Sequence, residues 1–357
     1  MMPGRPVDLA VIGGGGIGWR HLEIAHGEPE CGFVGLVDPD PAVRRRAEAL
    51  GVPAFADLEG LMRGHRPEGA IVAVPTGLHL EVGLDCIGRG LPVLMEKPVA
   101  ADVAAGRTLV AAAERAGVPL AVGHHRRFDP AVEATHAALR DGRLGRVLAV
   151  SVLWFVRKPD AYFEIPWRRE KGAGPILTNL IHDLDLLRHF CGEVESVFAE
   201  TAGEARGFAV EDSAALLLRF RGGTLGTVTL SDAAPSPWGW EQGSGDNPTV
   251  SASGADCYFF AGSEASLGFP SLTLWRQTGV AGEAGGWSDP FTSETLPSRE
   301  RQALADQLRH FLAVVRGEAA PRVDGADALR TLAVCEAVFA SAANGVAVVP
   351  EPGLLPD

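Results

Sequence analysis

Short apolar runs alternate with helix-like segments over the first third of the chain. The apolar runs lie at 7–12, 32–37, 69–74, 91–95 and 119–123, and helix-like segments such as 80–88 and 101–116 separate them. Buried strands of a parallel sheet are almost continuously apolar, because helices cover both faces of the sheet. The pattern therefore predicts an amino-terminal α/β domain with a doubly wound parallel sheet.

The pattern changes in the second part of the chain, where long apolar runs follow one another with few helices between them. These runs lie at 147–156, 194–200, 213–220, 224–230, 256–261 and 271–276. The short turn at 221–223 joins two of them, as is typical of an antiparallel sheet. Stretches rich in Gly, Pro and Ser at 233–254 and 277–298 predict loops. Helical periodicity returns at 299–316 and 324–344.

The change of pattern places the domain boundary just after residue 123. The segment 124–130, rich in histidine and arginine, follows the last apolar run of the first part and begins a new helix. Gly345 follows the final helical segment, and glycine is favoured just past a helix end. The sequence thus predicts a first domain at 1–123, a second at 124–345 and a carboxyl-terminal tail at 346–357.

A glycine-rich turn follows the first strand directly. Gly13, Gly15 and Gly18 fit the pattern G-x-G-x-x-G, and a helix-like segment comes next. The first glycine permits a tight turn, the second lets a pyrophosphate approach the backbone, and the third allows the helix to pack on the strand. The helix N-terminus offers N–H groups to the anion. This context predicts a nicotinamide or flavin dinucleotide site, including Gly16 and Ile17, whereas a plain glycine-rich turn is the alternative.

The identity of the dinucleotide follows from the charge at the end of the second strand. Asp38 lies about twenty residues beyond Gly18, where a carboxylate that binds ribose is expected. Such a carboxylate accepts hydrogen bonds from both ribose hydroxyls of NAD and repels the 2′-phosphate of NADP. Arg44, Arg45 and Arg46 come soon afterwards, but they fall on the next helix. NAD is therefore favoured over NADP.

Two loops follow later strands of the same predicted sheet. The tripeptide Glu-Lys-Pro at 96–98 ends the run at 91–95, and a loop containing Pro75, Thr76 and His79 follows the run at 69–74. Ligands of open α/β sheets bind outside the carboxyl ends of the strands. We therefore expect Lys97 to point into the cofactor cleft, with the other loop also lining it.

A helix-like segment at 176–190 carries a polar line beside an apolar stripe. The apolar stripe consists of Leu177, Leu180, Ile181, Leu184 and Leu187, and the polar line of Thr178, Asn179, His182, Asp185 and His189. His182 and Asp185 are three residues apart, so both can address one substrate hydroxyl. A carboxylate beside a histidine fixes its tautomer, which suits acid–base chemistry. The alternative is a solvated polar face of an amphipathic helix.

Several further side chains are candidates for contacts with cofactor or substrate. Arg126 and Arg127 could meet the cofactor or an acidic substrate group, or form an ion pair at the domain boundary. Trp167 and Arg168 could offer a stacking face and a bidentate donor to a sugar or carboxylate, or anchor a loop. Tyr162 is predicted to line the substrate pocket.

Composition limits the classes of function. The 357 residues carry a net charge of −13, which disfavours nucleic acids and anionic membranes as partners. No apolar stretch approaches the length of a membrane-spanning helix, and the start of the chain lacks the apolar region of a signal peptide. The five cysteines are odd in number and far apart, without metal-ligand spacing. We expect a cytoplasmic protein with no structural metal.

Taken together, five motifs in this order resemble those of the Gfo/Idh/MocA oxidoreductases. They are Gly13-x-Gly15-x-x-Gly18, Pro75-Thr76…His79, Glu96-Lys97-Pro98, His125-Arg126-Arg127-Phe128-x-Pro130 and Gly174…His182-x-x-Asp185. The resemblance covers nearly the whole chain. It implies a Rossmann domain followed by an α/β domain with a large, open, mostly antiparallel sheet. In this family that sheet commonly forms the oligomer interface, which implies a homodimer or homotetramer.

The resemblance also implies a chemistry, namely hydride transfer between nicotinamide C4 and a carbinol carbon of a sugar, polyol or sugar acid. Lys97 would hydrogen-bond the reacting oxygen, His182 would act as general acid and base, and Asp185 would orient the substrate or the histidine. Glu96 would contact the nicotinamide ribose region. The peptide bond between Lys97 and Pro98 is expected to be cis, as in similar proteins.

One departure from the family pattern leaves the substrate open. Many members have an aspartate four residues before the histidine, where this chain has Thr178, with Asn179 beside it. This neutral pair can bind hydroxyls but cannot supply a charge.

Two other functions stay open as alternatives. One is an enzyme that retains NAD and uses transient oxidation to drive elimination or glycoside cleavage, and the other is a non-catalytic regulator that binds NAD or a sugar.

Overall fold

The computed structural model describes residues 5–277 and 285–354, which form two compact units. The first unit comprises the chain up to Phe128 together with Gln302–Leu332, and the second comprises Asp129–Arg301 together with the chain from Ala333 onward. The predicted boundary at 123 lies five residues before the observed division. The prediction also assigned residues 302–332 to the second domain, whereas these residues pack in the first unit.

The first unit contains a six-stranded parallel sheet. Its strands are β1 (Val7–Ile12), β2 (Cys31–Val37), β3 (Ala54–Phe55), β4 (Gly69–Val72), β5 (Val93–Met95) and β6 (Leu120–Val122), in the order β3-β2-β1-β4-β5-β6. Its helices are α1 (Gly16–Gly27), α2 (Pro41–Glu48), α3 (Leu58–Met62), α4 (His79–Gly88) and α5 (Val103–Ala116). The strand order reverses between β1 and β4, which is where a doubly wound sheet binds a dinucleotide. The predicted doubly wound sheet is confirmed.

Local sequence signals set the helix ends in this unit. The Asp102 carboxylate accepts a hydrogen bond of 2.7 Å from the Ala105 N–H and so caps the start of α5. Gly117 ends the helix in the left-handed region at φ +62°. Residues other than glycine are strained in this conformation, because they carry a Cβ. In α2, Asp40 caps the helix and Pro41 occupies its first turn.

The second unit contains an eight-stranded sheet. Its strands are β7 (Val147–Phe155), β8 (Val194–Ala202), β9 (Ser213–Phe220), β10 (Leu225–Ser231), β11 (Tyr258–Gly262), β12 (Ser266–Phe269), β13 (Thr273–Gln277) and β14 (Phe291–Thr295). They follow the order β14-β13-β12-β11-β7-β10-β9-β8, and every neighbouring pair is antiparallel except β7 and β10. Burial alternates along β9 and β10, so one face of the sheet packs on the core and the other is exposed.

Three elements of the second unit differ from the sequence predictions. The strands β12 and β14 were not predicted, and β14 lies inside the predicted loop 277–298, of which residues 278–284 lie outside the described part of the chain. All five residues of β14 are exposed, so this edge strand has no apolar alternation to reveal it. The short helix α8 (Trp240–Ser244) interrupts the predicted loop 233–254 because the Trp240 side chain is buried against Phe269.

The remaining helices are α6 (Pro130–Arg140) and α7 (Ile181–Cys191) in the second unit, and α9 (Ala303–Val315) and α10 (Gly325–Asn344) near the carboxyl end. The start of α10 belongs to the first unit and the rest of this helix to the second. An apolar face of α9, with Leu308, Phe311 and Leu312, lies in the core cluster formed by β1 and α1. This burial explains why α9 groups with the first unit, although it follows the second in the sequence.

We expect Phe311→Ala to weaken the core of the first unit, because removing a buried phenyl ring costs about 3–5 kcal/mol. Hydrogen exchange followed by mass spectrometry should show faster exchange in β1. The matched control is Glu318→Ala, which changes an exposed residue just beyond α9. Unchanged protection of β1 in Phe311→Ala would show that α9 does not support this core.

Candidate active site

The glycine-rich turn after β1 has the shape that a dinucleotide requires. Gly13 lies in the left-handed region at φ +95°, and a Cβ there would be 2.5 Å from the Ala73 carbonyl oxygen. A Cβ on Gly18 would overlap the carbonyl oxygen of Gly13. In contrast, a Cβ on Gly15 would meet no atom of the described residues within 4 Å, apart from its chain neighbours. The turn is thus closed on the strand side and open where a pyrophosphate would pass.

Asp38 follows β2 at the edge of this turn. Its carboxylate accepts hydrogen bonds from the Gly14 N–H at 2.7 Å and the Asp40 N–H at 2.8 Å. The Arg44 guanidinium donates to the carbonyls of Asp38 and Pro39, and that of Arg46 stacks on an aromatic ring of α1. The carboxylate is held beside the turn, and these two arginines are engaged elsewhere. The arrangement fits the diol of an NAD ribose.

The Glu96 side chain lies inside the first unit, against α1. The residue is buried, and its Oε1 lies 2.8 Å from His21 Nε2. Its Oε2 accepts a hydrogen bond of 3.1 Å from the Lys97 N–H. Burial acts to raise the pKa of Glu96, but the hydrogen bond from His21 and the charges of His21 and Lys97 outweigh burial and lower the pKa to about 2. Glu96 is an internal anion.

His21 was missed in the sequence, although a signal for it was present. It lies on α1 three residues beyond Gly18, and a helix residue at that spacing shares a face with the glycine that packs on β1. The imidazole and the Glu96 carboxylate are buried together. Only the tertiary structure brings these residues, 75 positions apart in the chain, into contact.

His79 is also buried, and both of its ring nitrogens lie close to backbone carbonyls. Its Nδ1 lies 2.8 Å from the Pro98 carbonyl oxygen and its Nε2 3.0 Å from the Val74 carbonyl oxygen. Burial lowers the pKa of His79, although both carbonyl contacts act to raise it. The imidazole therefore ties the loop after β4 to the loop after β5. Pro75 and Thr76, in contrast, are accessible on the short turn that precedes α4.

Lys97 is half-buried at the carboxyl end of β5, as the sequence predicts. The peptide bond between Lys97 and Pro98 is cis, which confirms that prediction. Arg127, in contrast, directs its guanidinium to Asp327, 2.7 Å from the carboxylate, and is buried there. The structure therefore favours the ion-pair alternative for Arg127 over the predicted contact with the cofactor.

In the second unit, a π-helical turn at Ile176–Leu180 leads directly into α7. Every residue from Ile181 to Arg188 is buried, including His182 at 7% and Asp185 at 1% exposure. The polar line is therefore not a solvated face of an amphipathic helix. Isolated π-helical turns often mark functional sites, and this one carries Thr178 and Asn179.

The polar residues of this helix are held by specific partners. The Thr178 hydroxyl lies 2.9 Å from both the Gly174 carbonyl oxygen and the Asn179 Oδ1. Asp183, which sequence reasoning did not select, accepts a hydrogen bond from the Tyr258 hydroxyl. The helix therefore buries carboxylates on two sides.

Glu211 is a second residue that the sequence did not reveal. Its carboxylate accepts a hydrogen bond of 3.1 Å from the Ile176 N–H at the start of the π-helical turn. A Cβ on Gly174 would overlap this carboxylate, which explains the glycine at that position. Burial raises the pKa of Glu211, and the hydrogen bond from Ile176 acts in the opposite direction.

The predicted substrate contacts Tyr162 and Arg168 lie against each other. The Arg168 guanidinium carbon is 4.0 Å from the centre of the Tyr162 ring, and the guanidinium donates to the Tyr162 carbonyl at 3.0 Å. Lys158 approaches the same ring to 5.0 Å and pairs with Asp232 at 3.3 Å. The structure thus places the two predicted residues in one cationic, aromatic cluster of the second unit.

Within residues 5–277 and 285–354, no three His, Cys, Asp or Glu side chains are arranged so that they could hold a metal ion. No helix in the same ranges is long and apolar enough to cross a membrane.

The sheet order and the glycine-rich turn define the class, a protein with a dinucleotide-binding Rossmann domain and a second α/β domain. Residues 7–124 match the model of an oxidoreductase family with an NAD-binding Rossmann fold, and residues 136–350 match the model of the C-terminal α/β domain of the same family. The chain belongs to the Gfo/Idh/MocA oxidoreductase family. The resemblance in the sequence motifs is thereby confirmed.

Individual relatives agree with this assignment. The chain is 27% identical to D-apiose dehydrogenase from Paraburkholderia graminis, over 94% of this chain and 88% of the relative. It is 27% identical to inositol 2-dehydrogenase from Rubrobacter xylanophilus, over 95% and 92% of the two chains. A crystal structure of the WlbA dehydrogenase from Bordetella pertussis, in complex with NADH and UDP-GlcNAcA, is similar with a TM-score of 0.78. That chain is 25% identical, and the similarity covers 98% of this chain and 99% of that one.

The two glycines of the turn should respond differently to an added methyl group. Gly18→Ala forces the helix away from Gly13 and should cost about 1–3 kcal/mol of stability. Gly15→Ala places its methyl group in the open space, so we expect little loss of stability without cofactor but at least about tenfold weaker binding of NAD. Calorimetric titration with NAD and thermal unfolding without it measure both effects. Gly15→Ala protein that binds NAD as tightly as the wild type would contradict this account.

Proposed function

We propose that this protein is an NAD-dependent dehydrogenase that acts on a carbinol group of a polyol, sugar or sugar acid. The observation that carries the proposal is the burial of His182 and Asp185 side by side on α7. Burying a carboxylate and an imidazole costs free energy unless their interactions repay it. A regulator that only binds NAD or a sugar has no need for this proton-transfer pair, whereas a dehydrogenase does.

The side chains divide the work of the reaction. Bound NAD supplies a nicotinamide ring that exchanges a hydride with the carbinol carbon. His182 removes the hydroxyl proton during oxidation and returns it during reduction. Lys97 donates a hydrogen bond to the reacting oxygen and stabilises its developing negative charge. Asp185 orients the imidazole or the substrate.

The contacts with NAD follow from the open side of the glycine-rich turn. We assign the pyrophosphate to the backbone at Gly15, Gly16 and Ile17, where the N-terminus of α1 supplies N–H groups. Asp38 binds the adenosine ribose, and the accessible Pro75 and Thr76 line the nicotinamide end. Glu96, His79 and Arg127 are omitted from direct contact, because their side chains are engaged within the protein.

The substrate class rests on the relatives and on the neutral turn before His182. Two relatives are named for oxidation of apiose and inositol, and the WlbA structure contains a nucleotide-linked sugar acid. Thr178 and Asn179 can hydrogen-bond to hydroxyl or carbonyl groups, and Arg168 beside Tyr162 can bind a hydroxyl or a carboxylate. We propose that these four residues select among polyols, sugars and sugar acids.

We also propose that the second unit mediates assembly into a homodimer or homotetramer. On the exposed face of its sheet, Phe198 and Leu217 are direct cross-strand neighbours, and Phe259 lies further along the same row beyond Thr227 and Ser151; the three apolar side chains are between 36% and 50% exposed. Clustered exposed apolar side chains mark interaction surfaces. The proposed location is the cytoplasm, which is supported by five cysteines that form no disulfide with one another.

Replacing the proposed proton-handling residues should lower kcat. We expect Lys97→Ala and His182→Ala each to reduce kcat by about 10²- to 10⁴-fold, the range for loss of a positioned acid or base. The assay follows absorbance of reduced cofactor with NAD, and then NADP, across polyols, aldoses and sugar acids. Lys171→Ala and His26→Ala, which change exposed residues, are the matched controls. An inactive panel with NAD still bound to the purified protein would favour the enzyme that retains its cofactor, and full activity of both variants would refute the assigned roles.

Introducing a charge on the exposed sheet should disrupt assembly. Leu217 is the most exposed apolar side chain of this row and lies beside Phe198, so we expect Leu217→Lys to cause a shift to smaller species in sedimentation velocity. Leu50→Lys, at an equally exposed leucine of the first unit, is the control and should sediment like the wild type. If Leu217→Lys keeps the wild-type sedimentation coefficient, the sheet is not the interface.

A further inference from the structure

We propose that His21 and Glu96 form a buried positioning pair for Lys97, in which Glu96 holds the Lys97 backbone and its charge favours the protonated amine. Neither residue is assigned to contact with NAD or substrate in this proposal. The inference rests on the proposed function only for the catalytic use of Lys97. The pair itself lies entirely within the first unit.

The first support is the geometry of the carboxylate. One oxygen of Glu96 lies 2.8 Å from His21 Nε2, and the other accepts the hydrogen bond of 3.1 Å from the Lys97 N–H. The Glu96 N–H donates to the Val72 carbonyl at 2.8 Å, which anchors the residue to the end of β4. The side chains of His21 and Glu96 are only 3% and 8% exposed. Each carboxylate oxygen is therefore committed inside the protein.

The residues around the pair leave just enough space for the Glu96 carboxylate. A Cβ on Gly123 would be 3.0 Å from Glu96 Oε1, so a larger residue there would press on the carboxylate. The Gly123 N–H also donates to the Met95 carbonyl at 2.7 Å, which keeps the end of β6 close to the pair. On the other side of the loop, His79 holds the Pro98 carbonyl. The backbone of Lys97 is thus fixed both before and after the residue.

The pair also connects Lys97 to the dinucleotide turn. His21 lies on α1, less than one turn beyond Gly18, where the helix packs on Gly13. The N-terminus of α1 is the proposed pyrophosphate site. The same rigid helix therefore presents N–H groups to the cofactor and an imidazole to Glu96, so the position of Lys97 depends on the turn that binds NAD.

The charge of Glu96 gives the pair its chemical effect. The carboxylate stays ionised because its pKa lies at about 2, where the interactions with His21 and Lys97 outweigh the effect of burial. Coulombic interaction between two groups is mutual, so Glu96 stabilises positive charge on the Lys97 amine. The other ionisable groups that act on Glu96 electrostatically are the imidazoles of His125 and His79. A protonated amine is the form that donates to a developing alkoxide.

The test uses the fact that the chain contains three lysines, Lys97, Lys158 and Lys171. Lysine labelled with ¹³C at Cε gives one NMR signal for each, and Lys158→Arg and Lys171→Arg assign them. We expect the titration midpoint of Lys97 to fall by about one pH unit in Glu96→Gln, because a nearby negative charge is lost. The midpoint of Lys171 should not change, and it serves as the internal control.

Kinetics provide a second readout on the full enzyme. Glu96→Gln should lower kcat by at least about tenfold and move the pH profile of kcat, while the KM for substrate changes less than about threefold. His21→Ala should lower kcat in the same way, and His21→Gln, whose amide can still donate to Glu96 Oε1, should restore most of it. A purely structural role would lower the amount of folded enzyme without moving the pH profile.

The outcomes separate this inference from the proposed function. The Lys97 titration is measured without cofactor or substrate, so a silent substrate panel with a shifted Lys97 midpoint refutes only the dehydrogenase. An unchanged Lys97 midpoint in folded Glu96→Gln overturns the positioning pair. If Glu96→Gln does not fold, the comparison of His21→Ala with His21→Gln decides: equal Lys97 midpoints in both variants and in the wild type overturn the proposal.

Discussion

The close packing of α1 on β1 is the contact on which the rest of the first unit depends. No side chain fits between Gly18 and the Gly13 carbonyl, so the helix approaches the strand at backbone distance. This approach leaves the N-terminus of α1 beside an open turn and Asp38 beside Gly14. It also brings His21 onto Glu96, which holds the backbone of Lys97. The glycine-rich turn and the loop that contains Lys97 are about eighty residues apart in the chain, and both are therefore positioned by α1.

In the second unit, the helix α7 buries several polar side chains. Residues outside the helix provide hydrogen-bond partners for some of its polar groups. Glu211 accepts from the first N–H of the π-helical turn, and Tyr258 donates to Asp183. Gly174 leaves the space that the Glu211 carboxylate occupies. His182 and Asp185 are buried on the same helix, in a setting where electrostatic interactions are stronger than in water.

The sequence predicted the architecture better than it predicted individual contacts. Five strands of the parallel sheet, all except the two-residue β3, were foreseen because a doubly covered strand must be apolar throughout, and five glycine or polar motifs followed in the expected order. In contrast, β14 escaped because an exposed edge strand carries no apolar alternation. Glu96, His79 and Arg127 lie near the predicted site, yet their side chains turn inward to His21, to backbone carbonyls and to Asp327. Position along a strand is local information, whereas the direction of a side chain depends on its neighbours in space.

By itself, the sequence determined the doubly wound sheet, the glycine-rich turn after β1, the position of Asp38 at the end of β2 and membership of the Gfo/Idh/MocA family. These features depend on short stretches whose spacing and polarity are sufficient to specify them. Only the tertiary structure decided that α9 belongs to the core of the first unit, that His182 and Asp185 on α7 are buried, and that His21 meets Glu96. Each of these depends on contacts between residues far apart in the chain, and such contacts follow from how the elements pack rather than from any local pattern.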